Sequence, residues 1–430
     1  MIVCLLIAEV VGLSWLDRER FGTWITPLTV LGFPYAAVVL LAYFVSEPLG
    51  FVAVFPPSVL IWMVGLLLVW ATGQFLSWAL LDFKFNPLPF LEAHAENGMT
   101  SAIRVGTALA IVSVIVMAVG TIAALKAAGG LSQVGSADFK SAYSHGVCGH
   151  ALVWSCLFGI LLIGSWRRGS RMLLLLIVAI VFFLVLGQVK GRVLQLVIGG
   201  ALFRVARGQL RLSPVKLAGV LATTCVIFSL GYLIAMLALD SDALLKLETY
   251  SFLSKHYLFY LFSGPLSFGE ALRNRMVDVG GDWHSIFAPF ANLYRVLLHS
   301  GDLVTIGSSH DKGVIIDDSA IVDNVYTFFG TLYLYLGAGG AALYVVGVSF
   351  VSYGLLVCAQ LKREPWLTAL YCYVAANLSL GFFEFYFWHL DAYELGVLAT
   401  AVAYVSRSFN SNRRTGWPAP KLADPFGNPV

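Results

Sequence analysis

The chain has 430 residues, of which 59% are hydrophobic and only 12% charged, with a mean hydropathy of +0.83. A soluble domain carries about a quarter charged residues, and surface-to-volume scaling leaves no globular core of this length able to hide so much apolar side chain. A soluble enzyme, a nucleic-acid binder and a disordered scaffold are excluded, and the composition predicts an all-α polytopic integral membrane protein. The net charge of +3 says little by itself, because in such a protein the placement of charge matters more than its sum.

A hydrocarbon core about 30 Å thick asks for roughly twenty apolar residues per helix. In chain order the stretches that qualify, or nearly so, are 1–14, 23–46, 58–81, 104–126, 151–165, 172–187, 192–207, 217–239, 325–360, 366–384 and 391–406. They predict about eleven transmembrane helices, within a range of about ten to twelve. The first is short, and it lacks the basic start and small-residue cleavage site of a removable signal segment.

Lys and Arg orient these spans. Seventeen of them, from Arg18 and Arg20 through Arg167, Arg168, Arg204, Lys362 and Arg407 to Lys421, fall in one alternating set of loops. The short loops of the other set hold only Lys126, Lys140, Lys190 and Arg192. The positive-inside rule places the first set, and with it the C-terminus, in the cytoplasm. The predicted organisation is transmembrane helices one to eight over 1–239, an external cap over 240–322, helices nine to eleven over 323–406, and a cytoplasmic tail over 407–430. The tail's proline-rich composition predicts disorder. Cys4, Cys156, Cys225, Cys358 and Cys372 fall in apolar stretches and only Cys148 reads as loop-exposed, so no disulfide framework is expected.

The segment 240–322 breaks the composition around it. It holds four of the eight histidines (His256, His284, His299 and His310) and ten acids against six bases. It is also rich in aromatics, including Tyr250, Tyr257, Tyr260, Trp283, Phe287 and Phe290, too many for disorder. The expectation is a folded cap of short amphipathic helices lying on the mouth of the bundle.

Several chemistries lack their signatures: there is no Walker A loop, no His-x-Glu-x-x-His spacing and no Gly-x-Ser-x-Gly. The first positive signal is Gly187-Gln188-Val189-Lys190-Gly191-Arg192, two cations at an external turn against the charge bias. A single cation there reads simply as snorkelling to lipid headgroups. A pair at a glycine-rich turn points instead to a ligand, and a planar guanidinium suits phosphate oxygens. Arg273-Asn274-Arg275 in the cap is a second cluster, a solvated face or a contact to a lipid pyrophosphate. The cap's histidines and acids, among them His256, His284, His310, Glu248, Asp317 and Asp318, are candidates to remove a proton from an acceptor hydroxyl. Asp323-Asn324 reads equally well as a helix cap.

Three segments taken together carry a family resemblance. Tyr257 through Tyr260 to Ser263-Gly264-Pro265, then Phe287-Ala-Pro289-Phe290-Ala-Asn292, then Asn324-Val-Tyr326-Thr327 through Tyr333 and Tyr335 to Gly337-Ala-Gly339 resemble the oligosaccharide repeat-unit polymerases, the Wzy-type O-antigen and capsule polymerases of bacteria. Lys190-Gly191-Arg192 is similar to the Lys/Gly-Arg element of that family and to the Ser-Arg element of O-antigen ligases. The resemblance covers about 180–345 by motif and the whole chain by topology. One departure is Tyr335-Leu336-Gly337, where family members often carry an Asp just before the Phe-Gly of the last motif.

The resemblance implies a GT-C-like glycosyltransferase of the bacterial inner membrane, independent of metal and without a cofactor, its active site facing the periplasm. It would move the growing glycan from undecaprenyl diphosphate to the next lipid-linked repeat unit. Its partners would be the undecaprenyl-diphosphate-linked oligosaccharide as donor and acceptor, the lipid bilayer and a chain-length regulator, with no nucleic acid. Arg192 and Lys190, with Arg273 or Arg275, are then expected at the diphosphates, and His284 or His310 as the base. Tyr257, Tyr260, Asn324 and Tyr326 are expected to shape the sugar pocket. The rival readings are an O-antigen ligase, with the same donor and a lipid A-core acceptor, and a lipid-linked oligosaccharide flippase. A flippase calls for more spans, charges inside them and no one-sided cap.

Overall fold

Within a bilayer every backbone N–H and C=O must be paired inside the protein, and a chain this apolar meets the demand with helices. The computed structural model describes residues 1–80, 96–134, 136–166, 170–187, 190–211, 247–277, 281–298, 313–317, 322–323 and 325–415, together with Gly219, Val226 and Ser229. In chain order the helices are α1 (Ile2–Phe21), α2 (Pro27–Val45), α3 (Pro56–Ala79), α4 (Glu96–Ala128), α5 (Ala137–Ser144), α6 (Gly146–Ser165), α7 (Arg171–Leu186) and α8 (Lys190–Ala206). They continue with α9 (Leu247–Arg273), α10 (Trp283–Ile286), α11 (Ala288–Leu298), α12 (Phe328–Lys362), α13 (Pro365–Ser379) and α14 (Asp391–Thr415). Among the described residues five segments are long and apolar enough to cross a membrane: Pro27–Val45, Pro56–Ala79, Met99–Ala128, Gly146–Ser165 and Phe328–Lys362. Arg171–Leu186 is a shorter apolar helix. The expected span 217–239 lies outside the described residues apart from three positions.

Helix α13 is the axis of the bundle. Pro365 opens it with φ already suited to a helix, the Glu364 carboxylate accepts from the Leu367 N–H at 2.8 Å, and every residue except Leu367 is buried. A helix buried on all sides belongs at the centre of a large core. It packs against α2 and α12 on the side of α1 and α3, and against α6, α8 and α14 on the other. Helices α6 and α8 are in very close contact. Gly159 meets Leu196, Gly164 meets Phe203, Gly199 meets Ile160 and Gly200 meets Ile163, and a Cβ at any of these glycines would lie 2.6 Å or less from its neighbour. Between helices in lipid there is little hydrophobic drive, so small residues that let backbones approach do most of the associating.

Side chains at helix C-terminal ends tie neighbouring helices together. Arg20 Nη2 donates to the Ser77 carbonyl at 3.1 Å, Gln360 Nε2 to the Phe21 carbonyl at 2.8 Å, and Arg207 Nη1 to the Gly164 carbonyl at 2.8 Å. Asp17, fully buried, accepts from the Tyr353 hydroxyl and from Gln74 Nε2, which ties α1 to α3 and α12. The first turn of α8 and the buried half of the cap helix α9 both meet the connection from α13 to α14, through Gly191 on Tyr386 and Gly264 on Phe382 and Phe383.

One expected span is broken. Phe329 packs on Gly65 and Tyr353 on Gly73 of α3. The two glycines are about 12 Å apart along α3, whereas the two rings would be about 36 Å apart along a straight α12. Both contacts form only because α12 bends at Gly337, where φ is 65° and ψ −177°. The bend frees the Tyr335 carbonyl, which accepts from the Asp282 N–H at 2.6 Å.

The cap also differs from expectation. Its first element is a helix of 27 residues, not a short one, and its second half from Phe262 to Ala271 is buried against α2, α3 and α12. Ser263, Gly264 and Ser267 give this half a narrow profile, and Gly264 lies directly on the backbone carbonyls of Phe382 and Phe383. A small antiparallel ribbon follows, β1 (Val314–Ile315) against β2 (Val322–Asp323), and Val52 N donates to the Ile316 carbonyl at 2.9 Å. The helix cap before α12 is Thr327, whose hydroxyl accepts from the Gly330 N–H. Asp323 instead accepts from Ser267 and from the Val325 N–H. Cys148 is buried on α6 against Gly120 and not in a loop, because α6 begins two residues earlier. The tail remains helical through Thr415.

The Gly337 backbone lies in a region essentially restricted to glycine, so Gly337→Ala is expected to cost about 1–3 kcal/mol and lower the thermal unfolding midpoint in detergent. Gly339→Ala, with open space around the new methyl, should hold or raise that midpoint by up to about 1 kcal/mol of stability. Equal midpoints for Gly337→Ala and the parent would remove the bend from this account.

Candidate functional site

Helix α8 starts with Lys190-Gly191-Arg192 and has no acid in its first turn. The helix macrodipole disfavours cations at an N-terminus, so local helix energetics do not explain these two. The structure supplies the compensation from elsewhere. Arg192 Nε donates to Asp391 Oδ2 at 3.0 Å and Nη2 lies 2.9 Å from the same oxygen in an ion pair, with both side chains about four-fifths buried. Asp391 opens α14, where a carboxylate is favoured by the dipole that repels the arginine on α8. Arg192 Nη1 is buried and has no hydrogen-bond partner among the described residues. One turn further along α8, the buried Gln195 Oε1 likewise has none.

The first turn of α8 meets the connection from α13 to α14, Leu380 to Asp391, which contains two short 3₁₀ turns, Leu380–Phe382 and Tyr386–Trp388. Gly191 lets this connection sit directly on the first turn of α8, since a Cβ there would come within 3.0 Å of the Tyr386 ring. Burial raises the Tyr386 hydroxyl well above the usual phenol range, and the neighbouring Glu384 carboxylate and the Tyr373 and Tyr260 hydroxyls push the same way. Tyr386 therefore stays neutral and able to donate. On the partly exposed side of the connection, His389 Nε2 lies 3.5 Å from Glu384 Oε1. Phe385 packs the connection to the bundle through Phe328 and Tyr344, with ring centroids 5.4 Å and 5.5 Å away. A buried cation with an open donor, a neutral phenol and a carboxylate–imidazole pair thus lie on two facing elements. Among the described residues no group of three His, Cys, Asp or Glu side chains is placed to hold a metal ion.

The residues expected from sequence divide into groups. Arg192 is at the centre of the cluster. Lys190 begins α8, and its side chain lies outside the described residues. Tyr260 joins from the cap, its ring stacked on Phe383 at 5.5 Å and meeting His256 at 5.0 Å. Tyr257 is half-buried one turn earlier on the same helix. Arg273 is about 20 Å further along α9 than Tyr260. It pairs with Glu270 and lies 5.0 Å over the Phe55 ring. Arg275 is exposed in a left-handed turn with φ 56°. The described contacts therefore do not join Arg273 or Arg275 to Arg192, because α9 carries them to its far end. His284 is exposed at the end of α10, and no described contact brings it to Arg192. Tyr326 is in the packed interior, 1% exposed, and its carbonyl accepts from the Thr331 hydroxyl, so it is no wall of an open site. His310 and Asn324 lie outside the described residues.

Asp391, Glu384, His389 and Gln195 escaped the sequence reading. A signal was present, in that Glu384, His389 and Asp391 are the ionisable groups in the aromatic stretch Phe382 to Asp391 between two apolar runs. Ionisable groups so close to spans default to function. The span boundaries at 384 and 391 made them look like ordinary helix ends.

The model of a family of unknown function, DUF6337, matches residues 50–412, and the chain belongs to that family. The matched region begins after α2 and contains every residue of the cluster. Neither the curated proteins nor the solved structures give a significant match.

Removing one partner of a buried ion pair strands the other, at about 3–5 kcal/mol for full burial and less here, where each side chain keeps about a fifth of its exposure. Asp391→Ala is expected to lower the thermal unfolding midpoint, and the double change Arg192→Met with Asp391→Leu to recover most of the loss. Additive losses in this double-mutant cycle would show that the two side chains are not coupled.

Proposed function

We propose that this member of a family of unknown function is a glycan polymerase of the bacterial inner membrane. It extends undecaprenyl-diphosphate-linked repeat units of a surface polysaccharide on the periplasmic face. The observation that carries the reading is Arg192, a buried guanidinium held by Asp391 with one donor edge left open at the N-terminus of α8. A helix N-terminus with an arginine in its first turn is an anion site by geometry and by charge. The motif resemblance places this same Lys-Gly-Arg element at the lipid diphosphate. In this reading the whole chain carries about eleven spans in a GT-C-like arrangement, with the C-terminus in the cytoplasm.

The reaction then runs as follows. The acceptor hydroxyl oxygen bonds to the anomeric carbon of the growing chain while the bond from that carbon to the diphosphate oxygen breaks. Negative charge accumulates on the departing diphosphate, and a preorganised guanidinium in a low-dielectric setting stabilises it without reorganising. Arg192 supplies Nη1, Lys190 adds a second charge, and Tyr386 has a neutral hydroxyl beside the first turn of α8. The proton of the acceptor hydroxyl passes to the Glu384–His389 pair, in place of His284 or His310. Tyr260 and the aromatic connection offer flat apolar faces on which sugar rings stack.

The test is complementation in the source bacterium. Deleting the gene should collapse the polysaccharide ladder to a single repeat unit on its anchor, and the intact gene should restore it. Arg192→Ala at matched abundance should fail to restore the ladder, since losing one such donor costs about a hundredfold or more in rate. If deletion removes even the single anchored unit, ligation or flipping is the true activity. A full ladder with Arg192→Ala would reduce that residue to a structural partner of Asp391.

A further inference from the structure

Helix α11 is turned inside out for a helix in water. Its two polar side chains, Asn292 and Arg295, are half-buried, and each makes an interaction within the chain. Its apolar side chains face outward: Tyr294 is 63% exposed, Val296 55% and Leu297 70%. A helix on an aqueous surface puts its apolar stripe inward and its polar face out. A contiguous outward stripe of this kind marks a contact surface.

What covers the stripe follows from its neighbours. The N-terminus of α11 is anchored, with Ala288 and Pro289 buried, Phe287 on Tyr344 of α12 at 5.6 Å and Phe290 on Tyr393 of α14 at 4.5 Å. Beside those anchor points, Leu343 on α12 and Val397 on α14 also point outward, 67% and 74% exposed. Helix α12 is long and apolar enough to cross a membrane, which gives its outward apolar side chains acyl chains to face. The stripe on α11 lies beside that face, joined to it through Phe287 on Tyr344. Its composition, Tyr and Leu outward with a single cation and no acid, is that of an element at the headgroup boundary.

We propose that α11 lies in the plane of the bilayer interface, at the end of the bundle that carries the Arg192–Asp391 pair, with its apolar stripe buried in lipid. This does not depend on the glycan-polymerase reading. Tyr393, on which Phe290 rests, is two residues from Asp391, and its hydroxyl lies 3.2 Å from that of Tyr344. Phe290 on Tyr393 thus brings α11 to the first turn of the helix that Asp391 opens.

The experiment uses the full chain in phosphatidylcholine–phosphatidylglycerol nanodiscs. The six native cysteines are replaced by serine, and nitroxide labels are placed singly at Asn292→Cys, Val296→Cys and Leu297→Cys. Collision with oxygen, which concentrates in lipid, is compared with collision with a water-soluble nickel chelate. At 296 and 297 the depth parameter should be positive, corresponding to roughly 5–10 Å below the headgroup level, and at 292 both collision rates should be low. A negative depth parameter at 296 and 297 would show a water-facing helix and overturn the proposal. Low rates for both reagents there would mean cover by protein, either residues 299–312 or a second copy, and overturn it equally. Should the serine background fail to fold, benzoylphenylalanine at position 297 of the otherwise native chain gives the same decision. A photo-adduct at the mass of a phospholipid supports the proposal, and a protein–protein crosslink sinks it.

Discussion

A guanidinium and a carboxylate taken out of water cost several kcal/mol each unless they meet in good geometry. Arg192 and Asp391 meet across 199 positions of chain, at the starts of α8 and α14. The dipoles of the two helices act in opposite senses on this pair: α14 welcomes its carboxylate and α8 resists its arginine. The arginine is thus held where local energetics would not put it, by a partner whose position the rest of the bundle must guarantee. That guarantee is the connection from Leu380 to Asp391, which is packed from three directions. Gly191 of α8 receives Tyr386, Gly264 of α9 lies on the Phe382 and Phe383 carbonyls, and Phe328 and Tyr344 of α12 hold Phe385.

Glycine recurs at these junctions because each brings helix and backbone closer than a side chain permits. At Gly264 a Cβ would lie 2.1 Å from a carbonyl oxygen that cannot move aside. Gly337 acts differently, through its backbone angle, by letting one long apolar stretch fold as two helices that both reach α3. The carbonyl that the bend releases is satisfied by the Asp282 N–H. Cap and bundle are therefore joined at the backbone level.

Much of this was legible in the sequence. Hydropathy pointed to a helical membrane protein, and the alternation of Lys and Arg sorted the loops into two sets. The pair at Lys190-Gly191-Arg192 stood out because it contradicted that alternation. The bend at Gly337 was hidden, since a glycine inside an apolar run reads the same in a straight helix and at a kink. Asp391 was hidden for a related reason, because a carboxylate at a span boundary is ordinary and only the fold shows an arginine beside it. The long helix α9 was misread as short pieces because its buried half is built of Ser, Gly and Pro, which local propensity treats as loop.

The glycine contacts between α6 and α8 have a mechanical consequence. Each helix places large side chains against the other's backbone, so α8 cannot slide or tilt without collision, and the first turn that carries Arg192 behaves as a fixed jaw. Its counterpart is an aromatic connection of short turns, joined to the first turn of α8 by one ring on a glycine and one ion pair. The buried edge of the guanidinium thus lies between α8 and this connection. The surroundings of Arg192 are therefore built unequally: one side is a helix whose position its glycine contacts define from Leu196 to Phe203, and the other is a stretch of twelve residues shaped by aromatic packing.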